Sequence, residues 1–401
     1  MTRKAYDKDV AIVNCRHFNG YKPCGKSEIC DSLCPHMSVP TARILLVHLE
    51  ALGAVLRSTA LLPAIRRKFP GCHITWVTQS PAHHLLENNP HVDRVLTTSP
   101  DDLLALSALE FDIAMVVDKS LKAGGILKKT KAEMVFGFQV DAATGAIVPA
   151  TPAAEELWQI GLSDRKKFFE NRKPETRLVH EALELGPWQR DPYVLKLSKE
   201  EEKAATQRRS QWSRHPEQVV VGINTGCSNA IPYKKLSIEK HRDLINALTA
   251  EFGSKIRIVL LGGHEDTLRN QRIGHGLDVV LSPTEKGLRD GIVSLSACDI
   301  VVTGDSLGLH MAIALGKWTV AWFGPTCAHE IDLYDRGVAV LTKASCSPCW
   351  KRRCQRTPMC YDLVSIGEIV DGVRQALGTL KRTENDLDNK KWPKKRPSLN
   401  I

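Results

Sequence analysis

No uninterrupted apolar run in this chain of 401 residues approaches the ~18–20 residues that a membrane-spanning helix needs. The N-terminus, Met1-Thr2-Arg3-Lys4-Ala5-Tyr6-Asp7-Lys8, turns polar at once and has no apolar stretch behind it. It does not read as a secretory leader, and the expectation is a cytoplasmic protein. Aromatic residues are scarce at 6%, and the basic residues near the C-terminus are not interleaved with them. Neither a paired CxxC ribbon nor a cysteine pair followed by a histidine pair occurs. These absences weigh against a nucleic-acid-binding module. With 43% hydrophobic and 25% charged residues, the composition also excludes a mostly disordered or collagen-like chain.

What is abundant is positive charge and cysteine. The net charge is +10, and Lys381, Arg382, Lys390, Lys391, Lys394, Lys395 and Arg396 outweigh Glu384, Asp386 and Asp388 near the end. Such a balance suits nucleic acid, an anionic membrane surface or phosphorylated substrates, and by itself does not choose. Asp386-Leu387-Asp388 has the spelling of a metal–sugar site, but in so polar a terminal segment it reads as solvated chain. The 12 cysteines are grouped. Cys15, Cys24, Cys30 and Cys34 form one set; Cys346, Cys349, Cys354 and Cys360 form another. Cys72, Cys227, Cys298 and Cys327 read as small buried hydrophobes. Without an export signal, two such sets point to thiolate metal sites rather than disulfides.

Residues 1–40 read as an irregular cysteine-bearing extension punctuated by Gly20, Pro23, Gly25, Pro35 and Pro40. From residue 41 apolar strands alternate with helices: Arg43–Leu49, then Gly53 as a turn, a helix over Val55–Lys68, and His73–Thr78. A helical stretch Ala82–Asn88 and the strands Arg94–Leu96 and Phe111–Val117 follow. The pattern restarts after the charged helix Lys199–Trp212. Strands are expected at Val219–Ile223, Ile256–Leu261, Val279–Leu281, Asp299–Thr303 and Thr319–Phe323, with helices at Ile238–Glu251, Leu288–Ala297 and Leu307–Leu315. This is an α/β chain with two open parallel-sheet domains, 41–200 and 201–380, and a basic tail, 381–401. Ligands of such sheets bind beyond the carboxyl ends of the strands.

One segment carries the sharpest chemistry. A buried strand ends at Thr303, and Gly304-Asp305-Ser306 leads into a helix that begins near Leu307. The free amides and positive dipole end of that helix would suit a diphosphate. Gly308 would let backbone approach closely, and His310 could add a donor. As a plain structural element, the same loop would use Asp305 or Ser306 as the N-cap. A tight set such as Cys346-Ser347-Pro348-Cys349 with Cys354 and Cys360 suits tetrahedral zinc or iron. The Cys15–Cys34 set has no CxxC and is the second choice; the two sets could also contribute to one site.

Gly304-Asp305-Ser306-Leu307-Gly308-Leu309-His310, with Ala314-Leu315-Gly316 and Phe323-Gly324-Pro325-Thr326, resembles the donor-site signature of glycosyltransferase family 9, the ADP-heptose:lipopolysaccharide heptosyltransferases. Leu52–Pro63 is similar to the family's first strand-turn-helix, and the likeness covers residues 41–380. It implies a GT-B architecture, two Rossmann-like domains whose parallel sheets face a central cleft. It further implies donor binding by Thr225, Gly226, Asp305, Ser306, Leu307, Gly308 and His310. Lys234, in Tyr233-Lys234-Lys235-Leu236-Ser237, falls on the family's catalytic lysine, which neutralises charge on the leaving diphosphate. Leu236-Ser237 departs from the family's Trp-Pro. Glu265, in Gly262-Gly263-His264-Glu265-Asp266, is placed near the sugar. Some family members resemble the Cys346–Cys360 segment, so a metal there would belong to the enzyme, in a structural role, with no cofactor needed for catalysis.

The family's Gly-Asp after the first strand is Gly53-Ala54 here, and Ala54 cannot take a proton. An inverting displacement needs a positioned base. Asp118, directly after a buried strand, is the replacement expected, with Lys119 beside it and Glu50 in reserve; capping a turn is Asp118's alternative role. The expected activity is heptose transfer from ADP-heptose to a lipid-linked lipopolysaccharide-core acceptor, without nucleic acid. The basic surface would then give peripheral contact with the cytoplasmic face of the inner membrane. The rival readings are a basic nucleic-acid-binding protein and a transferase homologue without activity.

Overall fold

A computed structural model describes residues 14–31 and 33–390, with side chains described through residue 380. The chain forms two compact units. The first runs through Ser198 and includes His329–Asp332; the second comprises Lys199–Ala328 and the chain from Leu333 onward.

The first unit holds six strands: β1 (Arg43–Val47), β2 (His73–Val77), β3 (Arg94–Leu96), β4 (Glu110–Val116), β5 (Lys131–Val140) and β6 (Ile147–Pro149). Their order is β3-β2-β1-β4-β5-β6. All pairs are parallel except β5 with β6, where Phe138 faces Pro149. Strand β1 is apolar from Ile44 to Val47 because both its faces are covered there. Ile44 and Leu46 pack with Val55, Leu62 and Ile65 of the chain after β1, whereas Leu45 and Val47 pack with Ala123 and Ile126 of the helix after β4. The connections after β1 and β4 thus leave to opposite faces, which opens a crevice at the carboxyl end between these strands.

The second unit repeats the plan with β7 (Val219–Asn224), β8 (Ile256–Leu261), β9 (Val280–Leu281), β10 (Ile300–Gly304), β11 (Trp318–Phe323) and β12 (Gly337–Leu341). The order is β12-β11-β10-β7-β8-β9, all parallel. Its strand order reverses between β7 and β10, where Asn224 pairs with Thr303. Both sheets therefore have the dinucleotide-fold order, in agreement with the expected α/β class.

Several elements differ from the sequence expectation. The helix expected over Val55–Lys68 is three pieces: Leu52–Ser58, a 3-10 turn Thr59–Leu61, and Leu62–Lys68. Pro63 has no amide to continue the first helix and sits in the first turn of the next. Gly53 lies inside the first piece rather than in a turn. Ala82–Leu86 is a short 3-10 helix. Strands β5, β6 and β12 were not expected: all three are partly exposed, β5 begins with charged residues, β6 is only three residues long, and the apolar run of β12 was passed over. The last helix, Ile366–Lys390, passes beyond the boundary expected at residue 380. Among the described residues of 14–40 there is no strand or α-helix. That segment is tied to the first unit by Arg16 Nε to Asp93 Oδ1 (2.6 Å) and by Arg43 Nη2 to Asn14 Oδ1 (2.9 Å). No helix among the described residues is long and apolar enough to cross a membrane.

Candidate functional site

At the carboxyl end of β7 and β10, the second unit gathers most of the residues singled out from the sequence. Asn224 ends β7, and its amide nitrogen lies 3.0 Å from the Gly226 carbonyl, 3.0 Å from Ser306 Oγ and 3.2 Å from Thr303 Oγ1. This one side chain binds the two loops together. Ser306 occupies the N-cap position of the helix Leu307–Ala314 in extended backbone, yet makes no side-chain cap. Its hydroxyl is engaged sideways by Asn224 and Thr303 instead. The helix thus keeps the positive dipole end of its first turn; among the described residues the Leu307 and Gly308 amides have no backbone partner, whereas Leu309 donates to the Ser306 carbonyl at 3.1 Å.

Asp305 and Lys234 were assigned separate roles from the sequence; the fold makes them one ion pair. Lys234 Nζ lies 2.8 Å from Asp305 Oδ2. The Lys234 carbonyl accepts a hydrogen bond from Trp322 Nε1 at 2.9 Å, and its ammonium stands 5.4 Å from the centre of the Trp350 ring. Burial alone would raise the Asp305 carboxyl, but Lys234 and then His310 outweigh it and hold the group below the usual carboxylate range. His310 is buried one turn into the helix, and Leu307 opens that helix half-buried.

Gly308 has a packing role as well. A Cβ there would lie 2.8 Å from Asn224 Cγ, so the glycine lets the helix seat against Asn224. Gly226 is similar: a Cβ would fall 1.9 Å from Asp266 Oδ2. The Thr225 hydroxyl turns inward and donates to Asn270 Oδ1, and its amide donates to the Leu261 carbonyl at 3.3 Å. Glu265 is exposed on the turn His264–Asp266. The engaged carboxylate of that turn is Asp266, which accepts from the Gly263 amide at 3.0 Å and is raised in pKa chiefly by burial. Sequence reasoning passed over Arg269, which donates to the carbonyls of Thr225 (3.1 Å) and Leu236. Only its register on the helix after the Gly262-Gly263 turn could have flagged it. Ser237, at the departure from the family pattern, caps the helix Ile238–Phe252 by accepting from the Lys240 amide at 3.0 Å.

Beside this network, Cys346, Cys349, Cys354 and Cys360 line one cavity of about 360 Å³ together with Tyr233 and Pro325. All four thiols are free and half-buried. Burial, and then Cys349, Cys346 and Cys354, push the Cys360 thiol up to about 11. The donor chemistry suits a thiophilic ion, but among the described residues no three His, Cys, Asp or Glu side chains are arranged to hold one. Cys15, Cys24, Cys30 and Cys34 are likewise free and half-buried, and belong to the other unit. The side chains of Asp386 and Asp388 lie outside the described residues.

In the first unit Asp118 does emerge at the carboxyl end of β4, beside β1. Its Oδ2 accepts from the amides of Leu49 (3.0 Å) and Glu50 (3.4 Å), and the residue is buried. Ala54 lies in the helix Leu52–Ser58. Glu50, the reserve candidate, is exposed and paired with Lys122 at 3.1 Å. Around Asp118 lies a charged group that the sequence did not reveal. Arg57 pairs with Glu175, and Lys119 and Lys167 add to the field there. Burial would raise Glu175, but Arg57, Lys119 and Lys167 hold it at about 2. Lys119 keeps solvent-accessible surface, yet it is walled in enough that desolvation, with Arg57 and Lys167, lowers its ammonium. Its Nζ stands 5.1 Å from the centre of the Phe138 ring. His48, buried with its Nδ1 2.8 Å from Ser58 Oγ, is driven down to about 4 by burial first.

Known structures share this architecture. The glycosyl transferase family 9 protein of Veillonella parvula superposes with a TM-score of 0.67 at 17% identity, covering 85% of this chain and 98% of that one. The E. coli ADP-heptose lps heptosyltransferase II gives 0.60 at 17% identity, with 84% and 99% covered. The iron-containing dodecameric glycosyltransferase TibC of enterotoxigenic E. coli gives 0.51 at 11% identity, with 85% and 77% covered. At such identities the likeness concerns the fold. The sequence model of glycosyltransferase family 9 (heptosyltransferase) matches residues 104–360, from the helix Pro100–Ser107 that precedes β4 through the last cysteine of the 346–360 loop, and the chain belongs to that family of glycosyltransferases.

Proposed function

We propose that the protein transfers a heptose, or a closely similar sugar, from ADP-heptose to a lipopolysaccharide-core acceptor with inversion. The observation that carries this reading is the Lys234–Asp305 pair beside the uncapped helix start at Ser306. The helix amides hold the diphosphate, while Lys234 shifts toward the charge that grows as the sugar C1–oxygen bond to phosphate breaks. Asp118 takes the proton of the acceptor hydroxyl as its oxygen bonds to C1. With Oδ2 occupied by two amides, the proton goes to Oδ1, for which the described residues supply no partner. The cations Arg57, Lys119 and Lys167 suit an acceptor bearing carboxylate or phosphate groups. The net charge of +10 suits peripheral contact with the anionic inner membrane.

Cys346, Cys349, Cys354 and Cys360 would hold iron or zinc in a structural role once the thiols converge; a tetrahedral thiolate ion has no open position for substrate. The iron-containing TibC supports iron here. Protein purified without chelator should carry about one metal equivalent, lost in a Cys346→Ser/Cys349→Ser variant; metal-free protein would remove this assignment. Ala54 favours one rival, a homologue that binds donor without transferring it. A panel of nucleotide sugars with mass detection separates the two. Transfer or hydrolysis of ADP-heptose supports the enzyme; stabilisation by ADP with no turnover of any donor supports the rival.

A further inference from the structure

The ammonium of Lys234 meets two groups of different kinds. One is the Asp305 carboxylate at 2.8 Å; the other is the indole of Trp350, its centre 5.4 Å away. Resting on the function proposed above, we infer that Trp350 is the positioning residue for Lys234, and that the cysteine loop reaches the reaction through it.

The loop is built to fix that ring. Trp350 has φ 51°, a left-handed conformation that a bulky residue adopts only when its surroundings impose it. The amides of Cys349 and Trp350 both donate to the Pro325 carbonyl, at 3.0 and 2.9 Å. Ser347 Oγ donates to the Gly324 carbonyl at 2.5 Å. On the other side of Lys234, the Cys354 amide donates to the hydroxyl of Tyr233, the preceding residue, at 3.2 Å. The four-thiol segment is therefore bonded both to the residue before Lys234 and to the loop after β11.

The chemistry explains why a ring is useful where a carboxylate already stands. A diphosphate entering this site repels Asp305 and competes with it for the lysine, so the ion pair loosens as donor binds. The face of an indole attracts a cation without carrying net charge. Trp350 therefore keeps the ammonium in place while leaving its full charge for the leaving phosphate. A lysine side chain has four rotatable bonds and is otherwise free to swing away.

The test compares Trp350→Leu with Trp350→Phe in the full chain, after thermal melting shows both folded. Trp350→Leu should lower kcat with ADP-heptose about tenfold, the range of one partly desolvated cation–ring contact, while ADP affinity by calorimetry changes less than about twofold. Trp350→Phe should retain most of kcat. Equal losses in both variants would mean packing rather than ring–cation attraction and would overturn the inference. A raised KM at unchanged kcat in Trp350→Leu would overturn it too, because the ring would then be a wall of the binding site. A second readout needs no turnover: acylation of Lys234 by an amine-selective reagent, followed by peptide mass analysis. Faster labelling in Trp350→Leu but not in Trp350→Phe supports positioning, and unchanged labelling in both rejects it. If unmodified protein turns over no donor, the transfer reading fails on its own, and the labelling result still decides the role of Trp350.

Discussion

At the carboxyl edge of β7 and β10, the buried Asp305 meets a cation at 2.8 Å, and the surrounding hydrogen bonds run between neighbouring loops. At the matching edge of β1 and β4, the buried Asp118 meets two backbone amides instead. There the cations Arg57, Lys119 and Lys167 gather around a second carboxylate, Glu175. The same strand order thus supports two electrostatic designs. One places a single lysine where negative charge would develop. The other keeps a carboxylate free of a direct cation contact, which fits the base proposed above, and keeps its cations one step away. An ion-paired carboxylate is a weaker base, because the cation favours its ionised form.

The most direct way to break this contrast is to remove the lysine. Lys234→Ala should reduce turnover by about 10²–10³, as expected when a group aimed at developing charge is lost. It also leaves Asp305 buried without its cation, so ADP affinity should fall as well. Turnover within about threefold of the unmodified protein would show that the lysine is not the group that meets the leaving phosphate. On the other side, Asp118→Asn should lower turnover at least about a hundredfold while ADP affinity barely moves. The asparagine can still accept from the Leu49 and Glu50 amides, so the fold should hold. Near-normal turnover would reduce Asp118 to a loop tie and move the base elsewhere.

A smaller effect sharpens the view of how the second unit is assembled. Gly308→Val would drive its side chain into Asn224, a fault of overpacking that costs about 1–3 kcal/mol in stability. Because the clash is with a side chain, Asn224→Ala in the same molecule should recover part of the melting temperature. ADP binding should not recover with it, since Asn224 also fixes Gly226 and Ser306. Recovery of both would mean that Asn224 only fills space. Recovery of neither would return Gly308 to direct contact with the donor.

The two edges also differ in how far the sequence revealed them. Thr303–His310 is one continuous strand, loop and helix, so its local grammar was readable, and Lys234 was reached through its resemblance frame. The buried strands β1, β4, β7 and β10 were legible for the same reason: their covered stretches, such as Ile44–Val47 and Ile113–Val116, are continuous apolar runs. Arg57, Lys119, Lys167 and Glu175 come from separate segments, and no spacing links them before the fold does. The ion pair between Asp305 and Lys234 was hidden likewise, although both residues had been named. Helix breaks and edge strands were missed where a single proline, or partial exposure, overrode the broader pattern.

Each edge also contains a buried neutral histidine, and these should set how each responds to acid. His241 is packed edge-on against Trp322, ring centres 5.8 Å apart, with Nδ1 2.8 Å from the Ser237 carbonyl. Burial first, and then the Arg269 guanidinium, push it down to about 3. His48 in the first unit is pushed down to about 4. For both, the unfolded chain takes up a proton near pH 6.5, whereas the folded chain resists until far lower. Stability from these residues is therefore complete above pH 6.5 and declines as pH falls toward 3 for His241 and toward 4 for His48. Each contributes at most about 1.4 kcal/mol per pH unit in its window. Urea midpoints measured from pH 7 to pH 4 should fall less steeply in His241→Gln than in the unmodified protein, with His48→Gln flattening the same range. Parallel curves for His241→Gln and the unmodified protein would mean that this ring takes up its proton in the folded state as readily as in water. The second unit would then owe none of its acid sensitivity to His241.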